Sequence, residues 1–342
     1  MTKRILALLL ALLLCVSMIG CQKDAPEEQE ISRRTTTPKE TKPERESTST
    51  PLLYKVTNDS GNVIWLFGSI HVGLEEFYPL PDYVLDAFRG SDALAVEFDI
   101  VAYEKDLGAQ MKSIQKLLYT DGTQISDHIP QELYDRAVAI GKENKMYNKA
   151  FDSYVPMVWV SLIDNILMEA VGADMNLGID KNMIEMAYDM DKPVLDVESA
   201  EFQYEMLAGF SEELQIMLLE QSVASYEELD LYGGELIALM EAWMQGDEQA
   251  LTQMVCASPV FENEEEAALY AQYEAQMVTN RNQNMTRYAA EALKNGQELF
   301  ICVGAGHIVG EGGMVRLLEE MGYTVTNWDA AESAASLFYY KK

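Results

Sequence analysis

Two short stretches of the chain decide its fold: WLFGSIHVG at residues 65–73 and FICVGAGHIVG at residues 300–310. Each is an apolar run that ends in the pattern Gly-x-x-His and is followed by an apolar pair and a glycine. An apolar run closed by glycine predicts a buried strand, with the histidine in the turn beyond it. The chain contains three histidines, so the matched positions of His71 and His307 predict that the two imidazoles act together.

The segments around these two stretches predict further strands and helices. Strands are expected at residues 52–57, 62–67, 93–98, 193–197, 299–303 and 323–326, and helices at 82–89, 179–190, 264–294 and 311–321. The block in between is largely helical, with starts at Ser, Asp or Pro and stops at Gly. The pattern therefore predicts an α/β domain over residues 52–342: a mixed β-sheet flanked by helices, with a large helical insertion at about 103–256.

The first 20 residues have the character of a lipoprotein signal peptide. A basic pair precedes an apolar run, and Gly20 stands immediately before Cys21, which resembles a bacterial lipobox whose cysteine is lipidated. An ordinary signal peptide and an uncleaved anchor are the alternatives. Residues 21–51 are rich in Thr, Ser, Pro and charged residues, and predict a disordered tether. The expected location is extracytoplasmic, with lipid anchoring to the bacterial cell membrane.

Charge and cysteine usage narrow the class of protein. The formal net charge is −31, which argues against nucleic acid as a partner because binding phosphate requires basic residues. Contact with a membrane is therefore expected through the lipid anchor only. Cys256 and Cys302 could form a bridge in an oxidising compartment, or remain two buried thiols.

A third candidate for chemistry lies between the two histidine motifs. Glu97 falls in the apolar segment 93–98, where a carboxylate is costly unless it is paired or bound to a metal. An exposed strand edge is the alternative. Two imidazoles and one carboxylate are a ligand set for a divalent metal, which polarises a carbonyl and lowers the pKa of water. A variant without metal uses histidine as a general base oriented by Glu97.

Other residues are expected to support this set. Gly68 and Gly304 let the backbone turn sharply and approach a ligand closely. Arg281, on the long predicted helix, could clamp a carboxylate, or instead form a surface ion pair. Arg281 or the N–H groups of the glycine turns are expected to stabilise an oxyanion. Asp180 and Glu198 stand at element junctions, as supporting residues or as helix caps.

Two other features have simpler explanations. His128 precedes a predicted helix and is expected to have a local structural role. The glycines of 304–310, between a strand and a helix and with Asp329 after the next strand, imitate a dinucleotide-binding fingerprint. Only one strand–helix–strand unit remains before the chain ends, and the sister motif at 68–73 lacks the glycine pattern.

The order of these motifs resembles the TraB/PrgY/GumN family, which is related to the Tiki metalloproteases. The resemblance covers residues 52–328 and rests on six motifs: GSIH at 68–71, VEFD at 96–99, GID at 178–180, the segment 192–198, RN at 281–282 and GAGH at 304–307.

The resemblance implies an α/β fold in which both Gly-x-x-His motifs and an acidic residue face one active site. Tiki members are divalent-cation-dependent proteases that trim a secreted signalling protein, and PrgY-like members reduce the activity of a secreted peptide pheromone. By matching positions, His71, Glu97 and His307 would be the catalytic or metal set, with Arg281 beside them.

The sequence therefore predicts a membrane-tethered extracytoplasmic hydrolase that depends on Mn, Co or Zn. A peptidase that acts on a secreted or surface peptide or protein fits best. The alternative is a non-catalytic protein that sequesters a peptide in the same cleft. No sequence pattern indicates an oligomeric state.

Overall fold

A computed structural model describes residues 46–257, 259–261 and 263–329 of the chain. The predicted signal peptide, Cys21 and most of the predicted tether lie outside these residues. Within the described ranges, no helix combines the length and the apolar character that crossing a bilayer requires.

The strands of the described chain form one mixed six-stranded sheet with the order β4-β3-β5-β2-β1-β6. They are β1 (Leu53–Thr57), β2 (Val63–Ser69), β3 (Ala93–Val96), β4 (Val194–Asp196), β5 (Leu299–Gly304) and β6 (Thr324–Asn327). Parallel pairing joins β2 to β5, β5 to β3 and β3 to β4, whereas β1 is antiparallel to both β2 and β6. The predicted α/β fold with a mixed sheet is confirmed.

Helices surround the sheet and fill the region that the sequence predicts as helical. They are α1 (Asp82–Gly90), α2 (Ile100–Tyr103), α3 (Leu107–Gln115), α4 (Gln131–Glu143), α5 (Pro156–Ala170), α6 (Ile179–Asp189), α7 (Ala200–Ala208), α8 (Glu212–Glu227), α9 (Leu229–Gln245), α10 (Glu248–Val255), α11 (Glu264–Glu274), α12 (Asn280–Lys294), α13 (Ala305–Ile308) and α14 (Met314–Glu320). Several begin at a side chain that accepts a backbone N–H, as Ser199, Ser211 and Asn263 do.

The apolar residues form two cores. The first lies on the sheet, where the fully buried strand β5 is packed between its neighbours and covered by α1, α9 and α12. The second lies among α4, α5 and α8 and is centred on the buried Trp159. The first core fixes the positions of the strand ends, and the second core stabilises the neighbouring helices.

The structure departs from the predicted elements at four places. The helix predicted at 264–294 contains a π-helical turn, Ala275–Thr279, between α11 and α12. The helix predicted from residue 311 begins at Met314, because Gly310 adopts a left-handed conformation (φ 85°) before it. The short helix α13 was not predicted. Strand β3 ends at Val96, so Glu97 lies just beyond the strand and not within it.

The two cysteines of the described chain are both free thiols. Cys302 is buried in β5, whereas Cys256 is exposed and its Sγ lies 3.7 Å from the carbonyl oxygen of Val309. No bridge joins them, and the expectation of a buried thiol is right for Cys302 and wrong for Cys256.

Candidate active site

Four polar side chains follow four parallel strands at one edge of the sheet. His71 follows β2, Glu97 follows β3, Glu198 follows β4 and His307 follows β5. Parallel strands have their carboxyl ends at the same edge, which is where open α/β sheets bind ligands. The topology therefore brings together residues that are far apart in the sequence.

The two Gly-x-x-His motifs lie side by side on neighbouring strands. Gly68 pairs with Val303, and Ser69 pairs with Gly304. A Cβ at Gly68 would lie 3.0 Å from the Cα of Ala305, so the close approach of the two motifs favours glycine there. The buried indole of Trp243 donates a 2.7 Å hydrogen bond to the carbonyl oxygen of Gly68 and fixes the end of β2.

A second close approach places Asp180 against His71. The N–H of Ile179 donates to the carbonyl oxygen of Ile70 at 2.9 Å. A Cβ at Gly178 would lie 2.4 Å from the carbonyl oxygen of His71, so this contact also requires glycine. As a result, the Nδ1 atom of His71 lies 2.8 Å from Oδ2 of Asp180.

This contact determines the charge of His71. Burial by itself would lower its pKa, but the charge and hydrogen bond of Asp180, together with the charge of Glu97, outweigh burial and raise the pKa to about 9. His71 therefore carries a proton at neutral pH. Asp180 does not cap α6, whose N-cap is Gly178, so the helix-cap alternative is wrong for it.

His307 is held in the opposite charge state. Its Nδ1 lies 2.6 Å from Oδ1 of Asn282, whose Nδ2 donates to the carbonyl oxygen of Gly312 at 2.7 Å. Because a carbonyl only accepts, the amide is oriented with its oxygen toward the ring, and Nδ1 of His307 carries the proton. Burial and the charge of Arg281 lower the pKa of His307 to about 3. The neutral ring therefore keeps a lone pair on Nε2, which is buried and has no hydrogen-bond partner among the described residues.

Glu97 lies beside His307, and its charge acts on both imidazoles. Its Oε1 accepts from the N–H of Gly304 at 2.9 Å and lies 3.9 Å from Nε2 of His307. Its Oε2 accepts from Nη2 of Arg281 at 2.6 Å and from Nε2 of Gln203 at 3.0 Å. Burial alone would raise the pKa of this carboxyl, but the charge of Arg281 and both imidazoles hold it well below its usual range. The residue is only 8% exposed, so the alternative of an exposed strand edge is wrong.

Arg281 joins two carboxylates in the interior. It is 2% exposed, and besides Glu97 it contacts Glu198 through Nε at 3.0 Å and through Nη2 at 2.8 Å. The surface ion-pair alternative is therefore wrong for Arg281. Glu198 caps no helix, because Ser199 is the N-cap of α7. The π-helical turn lies directly before Arg281, a position at which such turns often mark functional sites.

A model of the TraB/PrgY/gumN family matches residues 52–327. The chain belongs to the TraB/PrgY/gumN family. The matched span begins just before β1 and ends with β6, so it includes the whole sheet and every site residue named above.

Two curated proteins are similar to this chain in sequence. The uncharacterized protein YbaP of Escherichia coli (strain K12) is 22% identical over 256 residues, which cover 74% of this chain and 86% of the relative. The uncharacterized protein YbaP of Shigella flexneri is similar to the same extent. No solved structure matches the chain.

Two residues that complete the site of this TraB/PrgY/gumN protein were not singled out by their chemistry. Asn282 orients His307, and its only sequence signal is its position next to Arg281. Gln203 bridges Glu97 and Glu198 at 3.0 Å to each, and nothing in the sequence distinguishes it from a surface glutamine.

His128 lies outside the site, as predicted. It contacts Glu212 at 2.8 Å and Thr123 at 2.7 Å, and its ring stacks on Tyr119 with centroids 4.0 Å apart. These contacts tie the loop before α4 to the start of α8, which is a structural role.

The dinucleotide alternative does not fit the topology. Strand β6 lies three strands away from β5, whereas the fingerprint needs the next parallel strand as a neighbour. The N–H of Gly304, which would face a phosphate, already donates to the carboxylate of Glu97.

The side chains of the site offer donor atoms that suit a divalent metal singly but not as a ready-made set. Within the described residues, no three His, Cys, Asp or Glu side chains are arranged ready to hold an ion. The individual donors nevertheless fit: the Nδ1 atom of each imidazole is engaged by an oxygen, as in metal sites where a second residue orients the ligand. The buried, unpartnered Nε2 of His307 is such a donor.

Proposed function

We propose that this TraB/PrgY/gumN protein is a divalent-metal-dependent hydrolase, most specifically a peptidase, that is tethered outside the cytoplasm and acts on a secreted or surface peptide. One observation carries the proposal: Nε2 of His307 and Oε1 of Glu97 lie 3.9 Å apart in the interior. Both atoms offer lone pairs, and Nε2 of His307 has no hydrogen-bond partner among the described residues.

Two lone-pair acceptors that face each other in a low-dielectric interior repel, and a cation between them turns that repulsion into attraction. Zinc binds nitrogen and oxygen ligands at about 2.0–2.2 Å, so one ion can reach both atoms across this separation. Mn, Co and Zn are the candidates, since imidazole and carboxylate suit all three.

Each side chain then has a defined task. A bound divalent cation polarises a carbonyl and lowers the pKa of water. Arg281 and Gln203 hold Oε2 of Glu97 and thereby turn Oε1 toward His307. His71 holds a proton at neutral pH, so in this state it would serve as the general acid that protonates the departing amine. It could hold a cation only after that proton had been lost to solvent, and the two roles exclude each other.

The sequence-based role of Arg281 changes in this proposal. Its guanidinium is buried and occupied by Glu97 and Glu198, so we assign it to positioning Glu97 and not to the oxyanion. The N–H of Gly304 is likewise occupied by Glu97.

The same contacts favour a second candidate function. Both oxygens of Glu97 already accept hydrogen bonds, and His71 is paired with Asp180, so the site also fits rigid binding without turnover. A protein that sequesters a peptide would use this cleft without a metal.

The experiment is incubation with a peptide library and Mn²⁺, Co²⁺ or Zn²⁺, with and without a chelator. Metal-dependent cleavage that is lost in His307→Ala and His71→Ala supports the peptidase. His128→Ala is the matched control, because it removes a hydrogen-bonded histidine outside the site, and it is expected to retain cleavage. A peptide that binds and is not cleaved supports sequestration. If the protein neither cleaves nor binds any peptide, both proposed functions are refuted.

The location is tested separately. Mass spectrometry of the protein from the membrane fraction of a bacterial host is expected to show a mature N-terminus at Cys21 that carries a lipid. An N-terminus at another residue, or an unmodified Cys21, would contradict the lipid anchor.

A further inference from the structure

A second cleft opens away from the candidate active site. It lies between α1 and the sheet, on the side where β2 and β5 begin, whereas the active site lies beyond their ends. The cleft has a volume of about 320 Å³, within the range of small-ligand sites. Its lining includes Lys55, Trp65, Asp86, Gly90, Glu298 and Trp328.

The aromatic part of the cleft is built by cross-strand pairing. Lys55 on β1 stands opposite Trp65 on β2, and Trp328 follows β6 on the other side of β1. The two indoles meet edge to face with centroids 5.4 Å apart, and Nζ of Lys55 lies 5.7 Å from the ring of Trp65 and 4.8 Å from that of Trp328. Both rings are half-buried, so each keeps an exposed part.

We propose that this cleft binds a neutral hexopyranose oligosaccharide. The C–H face of a pyranose ring packs on an exposed indole, and its hydroxyl groups match the donors and acceptors of Lys55, Asp86 and Glu298. This binding is independent of the hydrolase activity proposed above.

The charges of the cleft select against other ligands. The ammonium of Lys55 lies near both indole rings and repels a cationic ligand from them. The exposed carboxylates of Asp86 and Glu298, in a chain of net charge −31, oppose an anion. A neutral ligand that combines an apolar face with many hydroxyl groups satisfies both conditions.

Tryptophan fluorescence tests the proposal directly. The chain has four tryptophans, and Trp159 and Trp243 are at most 1% exposed, so a change on binding reports on Trp65 and Trp328. Cellotriose, maltotriose and triacetylchitotriose, all neutral, are titrated into the full chain to about 10 mM, a range that covers weak binding. At least one is expected to give a saturable change in intensity or wavelength, and a flat titration with all three overturns the proposal.

Two variants assign the binding to the cleft. Trp328→Ala removes one indole face and is expected to weaken binding at least tenfold. Gly90→Phe leaves both indoles intact: a Cβ at Gly90 meets no atom within 4 Å, so the new ring can enter the cleft and block it. Phe202→Ala, at an exposed aromatic residue outside the cleft lining, is the control and is expected to bind normally. Unchanged affinity in both cleft variants overturns the proposal, because the sugar would then bind elsewhere.

Discussion

Replacement of Arg281 by methionine tests the electrostatic centre of the site. Methionine keeps much of the side-chain length and removes the charge. In the native protein the guanidinium, 2% exposed, serves Glu97 at 2.6 Å and Glu198 at 2.8 Å. The variant leaves two carboxylates in the interior without their cation.

The magnitude follows from burial. Removal of one partner from a buried ion pair costs about 3–5 kcal/mol, because the remaining charge is left uncompensated. A loss of this size lowers Tm by roughly 10 °C in a domain of about 250 residues. The pH dependence has a definite sign. In the native protein the lowered pKa of Glu97 contributes stability above its ordinary pKa, and this contribution is lost as the pH falls. Without Arg281, burial is opposed only by the imidazoles and the N–H of Gly304, so that pKa rises and the deficit of the variant is expected to shrink between pH 7 and pH 5.

The assay is urea unfolding of Arg281→Met at pH 5, 6 and 7, together with Arg136→Met as a matched control. Arg136 makes a similar two-bond contact with Glu227, at 2.8 and 2.6 Å, but the two side chains are 36% and 47% exposed. Exposed pairs contribute at most about 1 kcal/mol. A cost for Arg281→Met no larger than that of Arg136→Met, or a deficit that grows at low pH, would refute the reasoning.

Three further predictions concern other parts of the molecule. Burial raises the pKa of Asp164 to about 7, so the folded carboxyl retains a proton that the unfolded chain releases. The free energy of unfolding therefore falls as the pH rises from about 4 to 7. Asp164→Asn should remove up to roughly 4 kcal/mol of this fall, as measured by urea unfolding across that pH range. Gly178→Ala would place a Cβ 2.4 Å from the carbonyl oxygen of His71, so it should lower the free energy of unfolding by about 1–3 kcal/mol and abolish peptide cleavage. In the control Gly234→Ala a Cβ meets no atom within 4 Å, and no loss of stability is expected. Equal thermal shifts for the two variants would contradict this. The exposed Cys256 should react with a thiol reagent in the native protein, whereas the buried thiol of β5 should react only after unfolding; two equally fast thiols would contradict the structure.

The sequence predicted the sheet and the edge that carries the site, for a physical reason. Strand β5 is buried along its whole length, so its sequence is an unbroken apolar run that ends at Gly304. The same signal marks β2, and the long separation of the two strands in the chain permits their parallel pairing. Because the pairing is parallel, His71 and His307 reach one edge of the sheet.

The partners of these residues could not be predicted, because they depend on contacts between distant segments. Gln203 reaches Glu97 across 106 positions, and Asn282 reaches His307 across 25, although amide side chains on helices usually face solvent. The π-helical turn before Arg281 left no sequence signal, because residues 264–294 read as one continuous helix. The helix-cap alternative for Asp180 failed because a contact between two glycine-containing loops decided its position.

The most direct test of the central claim is a crystal structure with Mn²⁺, Co²⁺ or Zn²⁺ and anomalous diffraction at the metal edge. The account predicts an anomalous peak about 2.0–2.2 Å from Nε2 of His307, bordered by His71 and by Oε1 of Glu97. A peak at another place in the molecule, or none at saturating metal with Nε2 of His307 still unpartnered, would contradict it.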